Sequence, residues 1–212
     1  AMTKSVLDDI NQFDKKNTPK LLSPHPIYDH YGSPMPRSEA LKVLDLEPEF
    51  RYILFFGFVR KYKGLDLLLK AFADVRLRQY PVKLIAAGEF YEAKEPYLEI
   101  IHKHALEENI VLHSDFIPDQ QVQYYFNSAD IVAQTYRSAT QSGVSQIAYN
   151  FEKPMLVTNV GGLSETIPHG KVGYVVSMEV NAIADALVDF FENKRLEQFT
   201  ENVRLEKQKY EW

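Results

Sequence analysis

Residues 136–165 read YRSATQSGVSQIAYNFEKPMLVTNVGGLSE. The order is loop, helix, strand, glycine-rich loop and a second helix start. Val144, Ile147, Ala148 and Phe151 recur at helical spacing, and Pro154 to Thr158 is an apolar run short enough for a buried strand. Ser138, Thr140, Gln141, Ser142 and Gly143 put small and polar groups at the first helix start. Unpaired backbone N–H groups and the positive end of the helix dipole can meet an anion there. Gly161-Gly162 offers a side-chain-free approach at the second turn, with Glu165 just inside the next helix. Either turn alone reads as an ordinary β–α connection; the two together, with a basic loop earlier in the chain, suggest an anion site.

The same alternation continues outward on both sides. Buried strands are expected at 52–56, 82–87, 110–112, 130–133 and 173–176, each a short apolar run. Helices are expected at 64–75, 94–106, 118–126 and 141–150, from Asn181 to Phe191, and from Lys194 to Tyr210. Strands alternating with helices predict a doubly wound, Rossmann-like α/β domain, a parallel sheet of about six strands flanked by helices. Upstream, KSVLDDINQF (4–13) has helical spacing and is broken at Asn17-Thr18-Pro19. Residues 23–37 are proline-rich and aperiodic, a linker, and Ser38 is placed to cap a short helix from Glu39 to Leu44. The expected division is 1–37 as a linker and hinge segment and 38–212 as the α/β domain.

Bulk properties narrow the function. The chain has 212 residues, is 45% hydrophobic and carries a net charge of −5, which disfavours broad nucleic-acid binding and makes any anion site a local pocket. The absence of cysteine excludes disulfides and thiolate metal sites. No apolar run reaches the length of a membrane span, and the start carries no secretory pattern. The six histidines are scattered without zinc spacing, so no metal site is expected.

Ligands of doubly wound sheets bind beyond the carboxyl ends of the strands. That rule selects the loops 57–64, 113–119 and 134–143, with 159–165 beside them. Neither GxGxxG nor GxxxxGK[ST] occurs. The 57–64 loop, GFVRKYKG, crowds Arg60, Lys61 and Lys63 between a strand end and a helix start. Cations oppose the helix dipole there, and a bound diphosphate would relieve the conflict. Three solvated surface cations are the plainer reading of that loop taken alone.

Four stretches, ILFFGFVRKYKGLDLLLKAF (53–72), AAGEFYE (86–92), DFIPDQQVQYYFNSADIVAQTY (115–136) and KPMLVTNVGGLSETIPHGKVGYVV (153–176), resemble in order and spacing the C-terminal, donor-binding domain of group 1 (family 4) glycosyltransferases of the GT-B fold. The resemblance implies a nucleotide-diphosphate sugar as donor substrate, no cofactor held by a motif, and sugar transfer with retention of configuration in polysaccharide or glycolipid assembly. It implies an N-terminal acceptor domain in cis, with residues 1–37 as the end of that domain and the interdomain linker. Thr3–Leu22 resembles that domain's last helix and strand. A cytoplasmic setting, peripheral at the inner membrane face, is implied for the full-length protein, and no turnover by this chain alone.

By the same likeness Lys63, with Arg60, holds the diphosphate and stabilises its developing charge. Arg60 stands in for an arginine that usually follows the strand-end glycine, Gly57, where this chain has Phe58. The backbone at Phe116-Ile117 meets the base, and Thr140, Gln141, Ser142, Gly143 and Val144 face the sugar and phosphates. Gly161, Gly162 and Glu165 match the family's paired glycines and following acid. Two family glutamates, with seven residues between them, are missing: their positions hold Ala139 and Ile147, or in the other register Thr140 and Ala148. Thr140 and Gln141 offer neutral replacements for the first, and Gln146 for the second. A sugar-nucleotide epimerase on the same architecture and a non-catalytic sugar-nucleotide-binding domain are the alternative readings. A phosphorylase lacks a recognisable pyridoxal lysine motif.

Overall fold

A computed structural model describes residues 1–16 and 18–211; Asn17, part of the expected helix break, and Trp212 lie outside the described residues. The six strands are β1 (Arg51–Phe56), β2 (Val82–Ala87), β3 (Ile110–His113), β4 (Ile131–Gln134), β5 (Met155–Thr158) and β6 (Gly173–Val176). They form one parallel sheet in the order β3-β2-β1-β4-β5-β6. The helices are α1 (Lys4–Phe13), α2 (Arg37–Val43), α3 (Leu65–Phe72), α4 (Glu95–Lys103), α5 (Asp119–Ser128), α6 (Gly143–Asn150), α7 (Val180–Glu192) and α8 (Leu196–Lys207).

The apolar run at 52–56 explains the layering. Ile53 and Phe55 pack on one face of the sheet with Leu68, Leu69 and Leu187. Tyr52, Leu54 and Phe56 pack on the other with Phe126, Ile147 and Val203. Side chains alternate faces along a strand, so a strand covered on both sides must be apolar throughout. Each fully buried Leu, Ile or Phe contributes roughly 1.5–3 kcal/mol. The sheet reverses direction in sequence between β1 and β4, which are hydrogen-bonded neighbours. The crevice at their carboxyl ends is the topological switch point.

Several boundaries differ from the sequence expectation. α2 begins at Arg37 behind Pro36 and carries no side-chain cap, so Ser38 is not its cap. The helix starts two residues earlier than expected, and the Arg37 guanidinium at its first position donates to Phe50 O at 2.7 Å. Glu179, not Asn181, precedes α7. The expected helix after Gly161-Gly162 is one 3-10 turn, Ser164–Thr166, because Pro168 closes it. The strand expected within Thr3–Leu22 does not form among the described residues. Pro19, Pro24 and Pro26 lack the N–H a ladder needs, and the segment is held instead by Ala1 N to Leu21 O (2.7 Å) and Ile27 N to Tyr210 O (3.0 Å). No helix among the described residues is long and apolar enough to cross a membrane.

Candidate functional site

A cleft of about 500 Å³ opens at the carboxyl ends of β1 to β4. It gathers residues from five parts of the chain: Gly57, Phe58, Tyr62 and Lys63 after β1; Gly88 and Glu89 after β2; Phe116, Ile117 and Asp119 after β3; Tyr136 and 139–144 after β4; and Tyr28 and Tyr31 from the linker.

Lys63 is the cation that the fold commits to this space. It ends a 3-10 turn, Lys61–Lys63, which Gly64 closes in a left-handed conformation. Its Nζ lies 5.6 Å from the centre of the Tyr136 ring and, among the described residues, makes no ion pair or hydrogen bond. Burial, aided by the nearby Arg60 charge, lowers its pKa from 10.5 to about 8. An ammonium held in such a place without a counter-charge invites an anion. Across the cleft is the start of α6. Ser142 caps it, its Oγ accepting from Val144 N at 3.2 Å. Burial pushes the Tyr136 phenol well above its ordinary pKa, so it is a neutral wall whose hydroxyl lies 3.4 Å from Ser142 Oγ. An ammonium facing a helix N-terminus has the charge and the donors that suit an anion.

Its neighbours are spoken for. Arg137 makes a two-pronged pair with Asp66 at 2.8 Å on each arm and donates to Lys61 O at 2.9 Å. Burial alone would raise the Asp66 carboxyl, but Arg137 outweighs it and holds it below the usual range. Arg60 is exposed, and its guanidinium sits 4.6 Å from the centre of the Tyr91 ring, outside the cleft lining. Arg60→Ala is therefore expected to weaken nucleoside-diphosphate affinity by no more than about threefold, the range of an exposed cation. A loss as large as that for Lys63→Ala, measured by calorimetry, would put Arg60 on the ligand.

Of the residues read from the sequence, the structure brings Gly57, Lys63, Phe116, Ile117, Thr140, Gln141, Ser142, Gly143 and Val144 into the cleft. Gly161, Gly162 and Glu165 stand behind it. Gly161 backs onto Ala139 O and Gly162 onto Thr140 O and Thr3, so the glycine pair supports the 139–140 loop. Glu165 accepts from Lys4 N at 2.6 Å and Ser5 N at 2.9 Å, capping α1. Gln146 is buried, with Oε1 unpartnered, and does not line the cleft. The sequence reading missed Tyr28, Tyr31, Glu89, Asp119 and Tyr136. Glu89 was within its reach, since it directly follows the Gly88 that ends β2.

A doubly wound parallel sheet flanked by helices defines a Rossmann-like α/β domain, the type found as one half of GT-B enzymes. The chain belongs to the family of group 1 glycosyl transferases, whose model matches residues 36–208. It is 28% identical over 164 residues to a D-inositol 3-phosphate glycosyltransferase of Paenarthrobacter aurescens (strain TC1), covering 76% of this chain and 40% of the relative. The C-terminal domain of the group 1 family protein LpcC from Francisella tularensis superposes with a TM-score of 0.75 at 19% identity, covering 86% of this chain and 96% of that one. Anabaena HepE in complex with UDP and glucose superposes with a TM-score of 0.82 at 18% identity, over 100% of this chain and 58% of that one. The chain spans 30–40% of the length of the first curated relatives it matches.

Proposed function

We propose that this chain is the donor-binding part of a glycosyltransferase that moves a sugar from a nucleotide-diphosphate sugar to an acceptor, with retention of configuration, in polysaccharide or glycolipid assembly. Residues 38–212 form the donor domain. Residues 1–37 are the end of an acceptor domain and the linker from it, and the acceptor site lies in that further domain in cis. In the full-length enzyme the site works at the cytoplasmic face of a membrane.

The observation that carries this reading is Lys63, half-buried at the switch point, in no ion pair among the described residues and facing the α6 start. Negative charge develops on the departing diphosphate as the sugar leaves. An ammonium and oriented backbone N–H groups aimed at that charge stabilise the transition state more than the ground state. The apolar rim at Phe116 and Ile117 suits a base, and HepE, of like fold, is described with UDP. Calorimetric titration with UDP, GDP, ADP and TDP tests the proposal. Saturable binding of one nucleotide, with no sugar transfer by this chain alone, is expected. Binding of none, or robust turnover by the chain alone, would overturn it.

A further inference from the structure

The cleft's walls follow the strand order. Along β3-β2-β1-β4 lie, side by side, the apolar Phe116-Ile117 loop, the Gly88-Glu89 turn, the Lys63 loop, and the loop leading into α6. Neighbouring strands are about 4.8 Å apart, so the row spans about 14 Å. A nucleoside diphosphate presents chemistry in the same order: a flat base, a sugar with vicinal hydroxyls, then an anion. With the diphosphate on Lys63 and α6 and the base against Phe116, the ribose falls over the end of β2.

Glu89 is the side chain waiting there. Its backbone is fixed, because its carbonyl accepts from Val59 N at 2.8 Å and Gly88 packs directly on the Gly57 carbonyl. Its side chain is half-buried in the cleft and has no ion-pair or hydrogen-bond partner among the described residues. One carboxylate has two oxygens and accepts from two adjacent hydroxyls at once. The other acid in the lining, Asp119, opens α5, where its charge complements that helix's own dipole.

We propose that Glu89 binds the 2′,3′-diol of the donor's ribose and so selects ribonucleotides over 2′-deoxyribonucleotides. The inference rests on the proposed nucleotide function. Sheets that bind dinucleotides use an acid for the ribose 2′-hydroxyl in the same way.

The test is calorimetry of the chain with UDP and 2′-deoxy-UDP, and with GDP and 2′-deoxy-GDP, for the wild type, Glu89→Gln and Asp119→Asn. The wild type is expected to prefer the ribose form about tenfold, the scale of one charged hydrogen bond. Glu89→Gln should bring the preference below about twofold while still binding the deoxy form as the wild type does. A purely structural role for Glu89 would weaken both forms equally and overturn the proposal. So would a wild type that binds both forms alike, or a preference lost in Asp119→Asn and kept in Glu89→Gln. If the wild type binds none of these ligands and neither ADP nor TDP, the nucleotide reading itself fails and takes this inference with it.

Discussion

Lys63→Ala is expected to weaken nucleoside-diphosphate binding at least tenfold, about 1.4 kcal/mol, and Lys63→Met to do the same while making the protein more stable. The two effects have one cause. The drop of the lysine from 10.5 to about 8 means that burial opposes its charged form, by an amount on the order of a few kcal/mol. Methionine fills similar space without a charge to desolvate. The sign of the pH dependence follows. Between pH 8 and 10.5 the unfolded chain binds more protons at this lysine than the folded one, so stability rises with pH across that window. Below pH 8 the full penalty is present, and in Lys63→Met this contribution disappears. Ligand binding runs the other way. A diphosphate needs the ammonium, so affinity should fall as pH rises through about 8, with proton uptake on binding near that pH. Calorimetry at pH 7 and pH 9, with thermal melts of both variants, checks all of this. An affinity unchanged in Lys63→Ala would remove the residue from the site.

The wild type thus keeps a half-buried cation whose desolvation opposes folding, and that conflict is partly visible in the sequence. GFVRKYKG announced too many cations for a strand-to-helix turn. It did not say which of them turns inward. That choice depends on Tyr91, which holds Arg60 outside, and on the 3-10 turn that aims Lys63 into the cleft. The sheet was more legible than the site, because a strand buried on both faces advertises itself locally, as Tyr52 to Phe56 does. The end of β2 is marked by a single glycine, Gly88, with no cation beside it, so Glu89 carries no anion-site signal of the kind the other loops show. Glu165 matched by position a ligand-facing acid, yet its partners are N–H groups 160 and 161 residues away. A linear pattern carries no trace of such a pairing. Residues 23–37 read as a linker from their prolines and lack of periodicity, and no strand forms there among the described residues. That Tyr28 would lie against Gly143 and wall the cleft could come only from packing.

Gly64→Ala is expected to unfold the site's foundation, with a loss of about 3 kcal/mol or more in stability. Gly64 has φ +68° and ψ 32°, and a Cβ placed on it would stand 2.0 Å from Thr135 O. The same two residues are joined the other way, Thr135 Oγ1 donating to Gly64 O at 2.8 Å. Next to them Arg137 N donates to Tyr62 O at 2.6 Å. The loop after β1 therefore interlocks with the loop after β4 at the switch point, and this contact sets the separation between Lys63 and the α6 start. A methyl at Gly64 meets a backbone oxygen, which cannot rotate away, so the loops must part and the hydrogen bonds go with them. Gly170 supplies the control. It has φ +72°, close to that of Gly64, but nothing lies within 4 Å of its added Cβ. Gly170→Ala should show only the left-handed conformational penalty, about 1 kcal/mol. Urea unfolding of the two variants separates the terms, because the positive φ is shared and the clash is not. Nucleotide affinity should fall in the folded fraction of Gly64→Ala and stay unchanged in Gly170→Ala. Equal destabilisation of the two would mean that Thr135 yields to the methyl without cost, and that the spacing of the anion site is set elsewhere.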